Sequence, residues 1–156
     1  VHLMVTDPIR YVEEFAKCGA DSITVHQEAC EDLQGTLDRI HGCGVKAGIS
    51  IKPATPVEML IPYLDQAEMF LIMSVEPGFG GQAFIPESLE RIRTLRSLLD
   101  ERGTEADIEV DGGIYHSNVA QVLEAGANVI VSGSGVFKGD VAKNTSEFME
   151  ILRRYE

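Results

Sequence analysis

The stretch Met69-Phe70-Leu71-Ile72-Met73-Ser74-Val75-Glu76-Pro77-Gly78-Phe79-Gly80-Gly81-Gln82 decides the fold reading. A nearly all-apolar run breaks abruptly into a loop with three glycines in four positions, 78 to 81. Such a run suits a parallel strand covered on both faces better than a half-wet antiparallel one. The glycines let the backbone approach a ligand closely and turn its amides inward.

Similar runs lie on either side. Strands are expected at Val1–Val5, Ser22–His26, Lys46–Ile51, Met69–Val75, Asp107–Asp111 and Val129–Ser132. Helices are expected near 8–18, 31–42, 56–66, 86–102, 117–125 and 145–155. Their apolar stripes include Leu33, Leu37 and Ile40, and Leu89, Ile92, Leu95 and Leu99. Asp7-Pro8, the capping-box spacing Thr55-Pro56-Val57-Glu58 and Ser117 read as helix starts, and Gly19, Gly44, Gly103 and Gly126 as stops. Cys18-Gly19-Ala20-Asp21 and Ala125-Gly126-Ala127-Asn128 each lead into a buried strand, which points to a repeated βα unit. Six such units read as a doubly wound sheet or as most of a (β/α)₈ barrel.

Composition narrows the function. The chain has 156 residues, 44% of them hydrophobic, and reads as a single domain over 1–156. A complete barrel needs roughly 200–250 residues. The chain opens at Val1, directly in an apolar run, so a missing start is expected. Thirteen Lys+Arg against 25 Asp+Glu give a net charge of −12, which disfavours nucleic acid as a partner. No apolar run approaches the roughly 18 residues of a membrane span. With no leader evident, a cytoplasmic protein with reduced thiols at Cys18, Cys30 and Cys43 is expected.

In parallel α/β folds ligands bind at the carboxyl ends of strands. Three such ends carry chemistry. The loop from Gly78 to Gly81 and the segment Val131-Ser132-Gly133-Ser134-Gly135 offer amides for a phosphate. Between them, Glu109-Val110-Asp111-Gly112-Gly113 puts Asp111 last on its strand, where a carboxylate can be a metal ligand, a general acid/base or a helix cap. His2 and His26 lie on strands with the same polarity, and a histidine with a carboxylate suits Zn²⁺ or Fe²⁺. Two ligands are too few for a tight site. Met4 and Met73 read first as core filler. His41 and His116 have no evident partners, and no cysteine or serine has an activating base.

Together, His2-Leu3-Met4-Val5, Val75 through Gln82, Glu109 through Gly113, and Val131-Ser132-Gly133-Ser134 resemble the ribulose-phosphate 3-epimerase family, in family order. The resemblance implies a TIM barrel of the ribulose-phosphate-binding type, here lacking the first two βα units. It implies one divalent metal ion (Zn, Fe(II), Mn or Co), with His2 and Asp111 as ligands and Asp111 also the proton donor. Gly78, Phe79, Gly80, Gly81, Gly112, Gly113, Gly133 and Ser134 would contact substrate or phosphate, as would His2 and Asp111. Met4 and Met73 would line the metal site, and His26 matches no catalytic residue. The implied activity is metal-assisted C3 epimerisation of D-ribulose 5-phosphate to D-xylulose 5-phosphate through a cis-enediolate, in the pentose phosphate pathway, by a homo-oligomer. D-allulose 6-phosphate 3-epimerase and a catalytically silent barrel fragment are the alternatives. The family's first-strand serine and its second-strand His-x-Asp motif, which carries two further ligands and the proton acceptor, have no match in this chain.

Overall fold

A computed structural model describes residues 1–155. Six strands form one sheet in the order β1 (His2–Leu3), β2 (Ser22–His26), β3 (Lys46–Ile51), β4 (Met69–Met73), β5 (Asp107–Asp111) and β6 (Val129–Val131). Every neighbouring pair is parallel. Sequential parallel order requires a crossover after each strand, and helical segments supply it. They are α1 (Val12–Lys17), α2 (Leu33–Gly42), α3 (Ser88–Arg102), α4 (Val119–Glu124), α5 (Ser134–Phe137) and α6 (Val141–Leu152), with 3₁₀ turns at Pro8–Tyr11, Gln27–Ala29 and Val57–Tyr63. The sheet is an open, curled half-barrel with β1 and β6 at its edges. The doubly wound alternative is thereby set aside.

Alternation along each strand makes the two faces of the sheet unlike. Ile23, Val25, Ala47, Ile49, Ile51, Phe70, Ile72, Ile108 and Val110 are fully buried on the helix-facing side. They pack with Leu37 and Ile40 of α2, Ile92, Leu95 and Leu99 of α3, and Val119 and Val122 of α4. The register puts His2, Thr24, Gly48 and Met69 in one row across the concave face, and His26, Ser50, Leu71 and Glu109 in the next. Gly48 is obligatory there, because a Cβ would run into the Thr24 side chain.

Strands β2, β3 and β5 have the bounds the sequence predicts, and the other three are shorter at their ends. Four helix starts differ in position or capping. Thr55 does not cap: its hydroxyl bonds to Glu28, and the segment after Pro56 is a 3₁₀ helix interrupted by Pro62, whose ring removes a backbone donor. Asp7 takes a left-handed conformation and accepts no cap hydrogen bond. The N-cap of α4 is Asn118, not Ser117, and α6 starts at Val141, where Asp140 accepts from the Lys143 amide at 3.0 Å. The glycine stops hold, with Gly103 at φ 72° ending α3.

Candidate active site

Curvature assembles the site. His2 and Asp111 sit on β1 and β5, four strand spacings apart, or about 19 Å in a flat sheet. In the curled sheet His2 Nδ1 lies 3.8 Å from Asp111 Oδ2. Both side chains point to the concave face and are about a fifth to a quarter exposed.

Asp111 is held from below. The buried Ser74, just past the end of β4, donates its amide to the Asp111 carbonyl at 2.9 Å. Its hydroxyl lies 3.0 Å from the same carbonyl and 2.6 Å from that of Gly112. Asn118 steadies the next turn, donating to the Gly113 carbonyl at 2.9 Å and accepting from the Tyr115 amide at 2.8 Å. Gly113 (φ 65°) has no room for a Cβ, which would strike the backbone nitrogen of Phe84. Arg91 ties the rim elsewhere, donating to the carbonyls of Met73, Lys52 and Thr55. Ser74, Asn118 and Arg91 escape a motif reading, because each acts on a carbonyl remote in sequence or hidden in a turn.

A cavity of about 390 Å³ opens beside Asp111. Met4, Met73 and Val75 floor it, Gly78 through Gln82 wall one side, and Gly112, Gly113, Gly133 and Ser134 the other. Of the site residues implied by the resemblance, all but His2 line it, and His26 lines the neighbouring cavity instead. The glycine loop is closed on itself by Gln82, whose amide donates to the carbonyls of Glu76 at 2.6 Å and Phe79 at 2.9 Å. That leaves the Phe79 ring 72% exposed at the tip. A second cavity of about 490 Å³ adjoins the first through Met4, Pro77 and Gly78 and reaches Thr6, His26, Glu28 and Lys52.

The electrostatics follow from burial. Desolvation raises the Asp111 carboxyl above its ordinary range, with His26 opposing. Glu109, one row below, is raised by burial and by the charge on Asp111. His2 is lowered to about 4 by burial and by His26, so its imidazole is neutral at neutral pH. Burial pushes Glu28 upward, but the His26 imidazole 3.6 Å away and hydrogen bonds from Thr55 and the Lys52 amide outweigh it and bring the carboxyl down to about 2.

Neutral imidazole and carboxylate, 3.8 Å apart, fit a divalent cation in kind, and His2 and Asp111 would be the residues to hold it. They do not complete a site. No group of three His, Cys, Asp or Glu side chains able to hold an ion occurs among the described residues. No helix among them is long and apolar enough to cross a membrane.

The sequence matches the Ribulose-phosphate 3 epimerase family over residues 1–137. Ribulose-phosphate 3-epimerase from a Synechocystis strain is 55% identical over 139 residues, 88% of this chain and 60% of that protein. The Bacillus subtilis protein of the same name is 45% identical over 94% of the chain and 69% of its own length, and that of Escherichia coli K12 is 45% identical over 88% and 61%. The chain thus spans about three fifths of the Synechocystis and Escherichia relatives. Among solved structures, 3-hexulose-6-phosphate synthase from Salmonella typhimurium superposes with a TM-score of 0.71 at 18% identity, covering 99% of this chain and 71% of that one. Orotidine 5'-phosphate decarboxylase from Pyrococcus horikoshii gives 0.68 at 15%, covering 97% and 72%. These two likenesses speak for the fold alone.

Proposed function

The chain belongs to the ribulose-phosphate 3-epimerase family, and from that premise we propose that its site serves the C3 epimerisation of D-ribulose 5-phosphate to D-xylulose 5-phosphate. The observation that carries this reading is the facing of His2 and Asp111 beside a glycine-walled cavity at the carboxyl ends of the strands. On this reading residues 1–156 form one domain, and the six strands are the third to eighth of an eight-stranded barrel.

Epimerisation at C3 removes a proton next to the C2 ketone and returns one on the opposite face. Asp111 serves one face. Burial raises its carboxyl above the ordinary range, the direction that favours a group carrying a proton. Ser74 fixes the backbone beneath it, so the carboxyl keeps its aim. His2 and Asp111 supply two ligands of a divalent ion, which when bound acts as a Lewis acid on the ketone. Met4 and Met73 keep the floor apolar, and the loop from Gly78 to Gly81 excludes water from one side. The amides of Gly112, Gly113, Gly133 and Ser134 hold the phosphate, whose remote binding energy fixes the sugar. Backbone amides supply local positive potential, so an acidic chain can bind an anion.

The second proton-transfer group is not assigned to any residue of this chain. Together with the two-donor metal site, this favours a second reading, in which residues 1–156 by themselves bind the phosphorylated ketose without turning it over.

One experiment tests both. Interconversion of the two pentose phosphates is followed together with solvent deuterium entry at C3, with D-allulose 6-phosphate as a competing substrate. Asp111→Asn should lower turnover by roughly 10²–10⁴-fold while changing KM less. Turnover near that of the parent in this variant overturns the role of Asp111. Binding without exchange in the parent chain selects the second reading.

A further inference from the structure

Arg91, early in α3, lines neither cavity, yet its guanidinium reaches the rim of the sheet. Nη1 donates to the Met73 carbonyl at 3.3 Å, and Nη2 to the carbonyls of Lys52 at 2.8 Å and Thr55 at 2.9 Å. All three acceptors lie at or beyond the ends of β3 and β4. Strand β3 stops at Ile51, opposite Ile72, so its ladder has run out where Met73 offers its carbonyl. The guanidinium takes the place of the missing strand partner, and its planar fork suits acceptors that belong to two different strand ends. The turn from Lys52 to Thr55 is held from a second side as well. Glu28 accepts from the Lys52 amide at 2.7 Å and from the Thr55 hydroxyl. The Thr55 amide donates to the Lys52 carbonyl at 3.1 Å. Arg91 therefore braces Met73 against a fixed turn.

A single peptide group connects this brace to Asp111. The unit between Met73 and Ser74 gives its carbonyl to Arg91 and its N–H to the Asp111 carbonyl, the latter at 2.9 Å. A peptide unit is planar and stiff, so a grip on its C=O edge fixes the direction of its N–H edge. A cation on the carbonyl also polarises the N–H into a stronger donor. The remaining groups of Ser74 point the same way. Its hydroxyl reaches the Asp111 and Gly112 carbonyls, and its own carbonyl accepts from the Ile85 amide at 2.9 Å.

We propose that Arg91 is a positioning residue: by holding the Met73–Ser74 peptide it fixes the backbone from which the Asp111 carboxyl is aimed. The consequence for turnover rests on the reading of Asp111 as the proton-transfer group. The same helix carries a control. Arg96, also half-buried, donates twice to the Gly126 carbonyl, at 3.1 and 3.0 Å. Gly126 lies between α4 and β6, at the opposite end of the strands from Asp111. Losing either arginine unties α3 from a backbone carbonyl, but only the loss of Arg91 reaches the site.

The test compares the parent protein with Arg91→Met, Arg91→Lys and Arg96→Met by three measurements. They are amide hydrogen exchange at Ser74, the position of the Asp111 carboxyl relative to His2 in crystal structures, and kinetics of epimerisation with solvent deuterium entry at C3. Arg91→Met keeps the length and removes the donors. Its Ser74 amide should exchange roughly tenfold faster than the change in global stability explains. Its Asp111 carboxyl should shift by ~1 Å, with kcat about 10–100-fold lower and KM within about threefold. Lysine carries three donors on one nitrogen, so Arg91→Lys should recover most of each property. Arg96→Met should lower stability and leave all three readouts at parent values. Parent-like Ser74 exchange or parent-like kcat in Arg91→Met overturns the proposal. Equal losses in Arg91→Met and Arg96→Met overturn it too, since they reduce Arg91 to a structural tie. Should Arg91→Met not fold, Arg91→Gln, too short to reach all three carbonyls, takes its place with losses in the same direction. If the parent chain binds the ketose without exchange at C3, or if Asp111→Asn keeps its turnover, the catalytic reading of Asp111 fails. Ser74 exchange and the Asp111 position then judge the hold of Arg91 by themselves.

Discussion

Along β5, Ile108 and Val110 are fully buried against the helices, whereas Glu109 and Asp111 lie half-buried on the concave side. The same contrast runs across the sheet. The convex face is a continuous apolar layer shared with α2, α3 and α4. The concave face has one small apolar cluster, Leu71, Met73 and Val75, surrounded by histidines, hydroxyls and carboxyls. The difference shows where stability and chemistry are separated. The convex face gains free energy from every buried side chain, while the concave face carries carboxyls whose burial opposes their charge. Strand alternation places these two regimes one residue apart.

Variants on the two faces should therefore fail in different ways. The largest effect belongs to the convex face. Phe70→Ala removes a fully buried ring and should cost about 3–5 kcal/mol in urea unfolding, while the folded fraction keeps its ligand affinity. A loss of affinity greater than the loss of folded protein would show that the faces are not independent.

Next come two glycines that line the same cavity. Gly113→Ala forces a Cβ onto the Phe84 backbone from a left-handed conformation and should cost about 1–3 kcal/mol. Gly133 has an ordinary φ of −83° and open space around it, so Gly133→Ala should change stability by no more than ~0.5 kcal/mol. It should nonetheless raise KM for the phosphorylated ketose, because the methyl stands where the backbone approaches the ligand. Equal effects in the two variants would remove the distinction between a glycine the fold needs and one the ligand needs.

The smallest effect has the opposite sign. Burial and Asp111 raise the Glu109 carboxyl, so its ionised form weakens the fold at pH values above the raised value. Glu109→Gln removes that burden and should raise Tm at neutral pH by a few degrees at most, since ~1 kcal/mol moves a domain of this size by about 2–4 °C. The gain should vanish as pH falls below the ordinary carboxylate range, where both forms are neutral. A Tm that drops at neutral pH would show that Glu109 holds the concave face together instead.

Much of the fold is legible in the chain. All six strands follow from apolar or alternating runs in the sequence, and three have the predicted bounds because period and punctuation agree there. Helix starts are less legible. Thr55 satisfies the capping-box pattern, yet its hydroxyl is taken by Glu28, 27 residues away. The cavity walls were legible as well, since glycine-rich strand ends gather at one rim of any parallel sheet. The supports beneath Asp111 were not. Ser74 reaches Asp111 and Gly112 across 37 and 38 residues, and no local pattern announces such a contact.

By itself, the sequence determined which residues face the helices, where β2, β3 and β5 stop, and which loops carry glycine, because these depend on side-chain alternation and local backbone freedom. Only the tertiary structure decided that His2 meets Asp111 and that His26 and Glu28 stand behind it. Those meetings depend on how strongly the sheet curls, which is set by the packing of all six strands and their helices together.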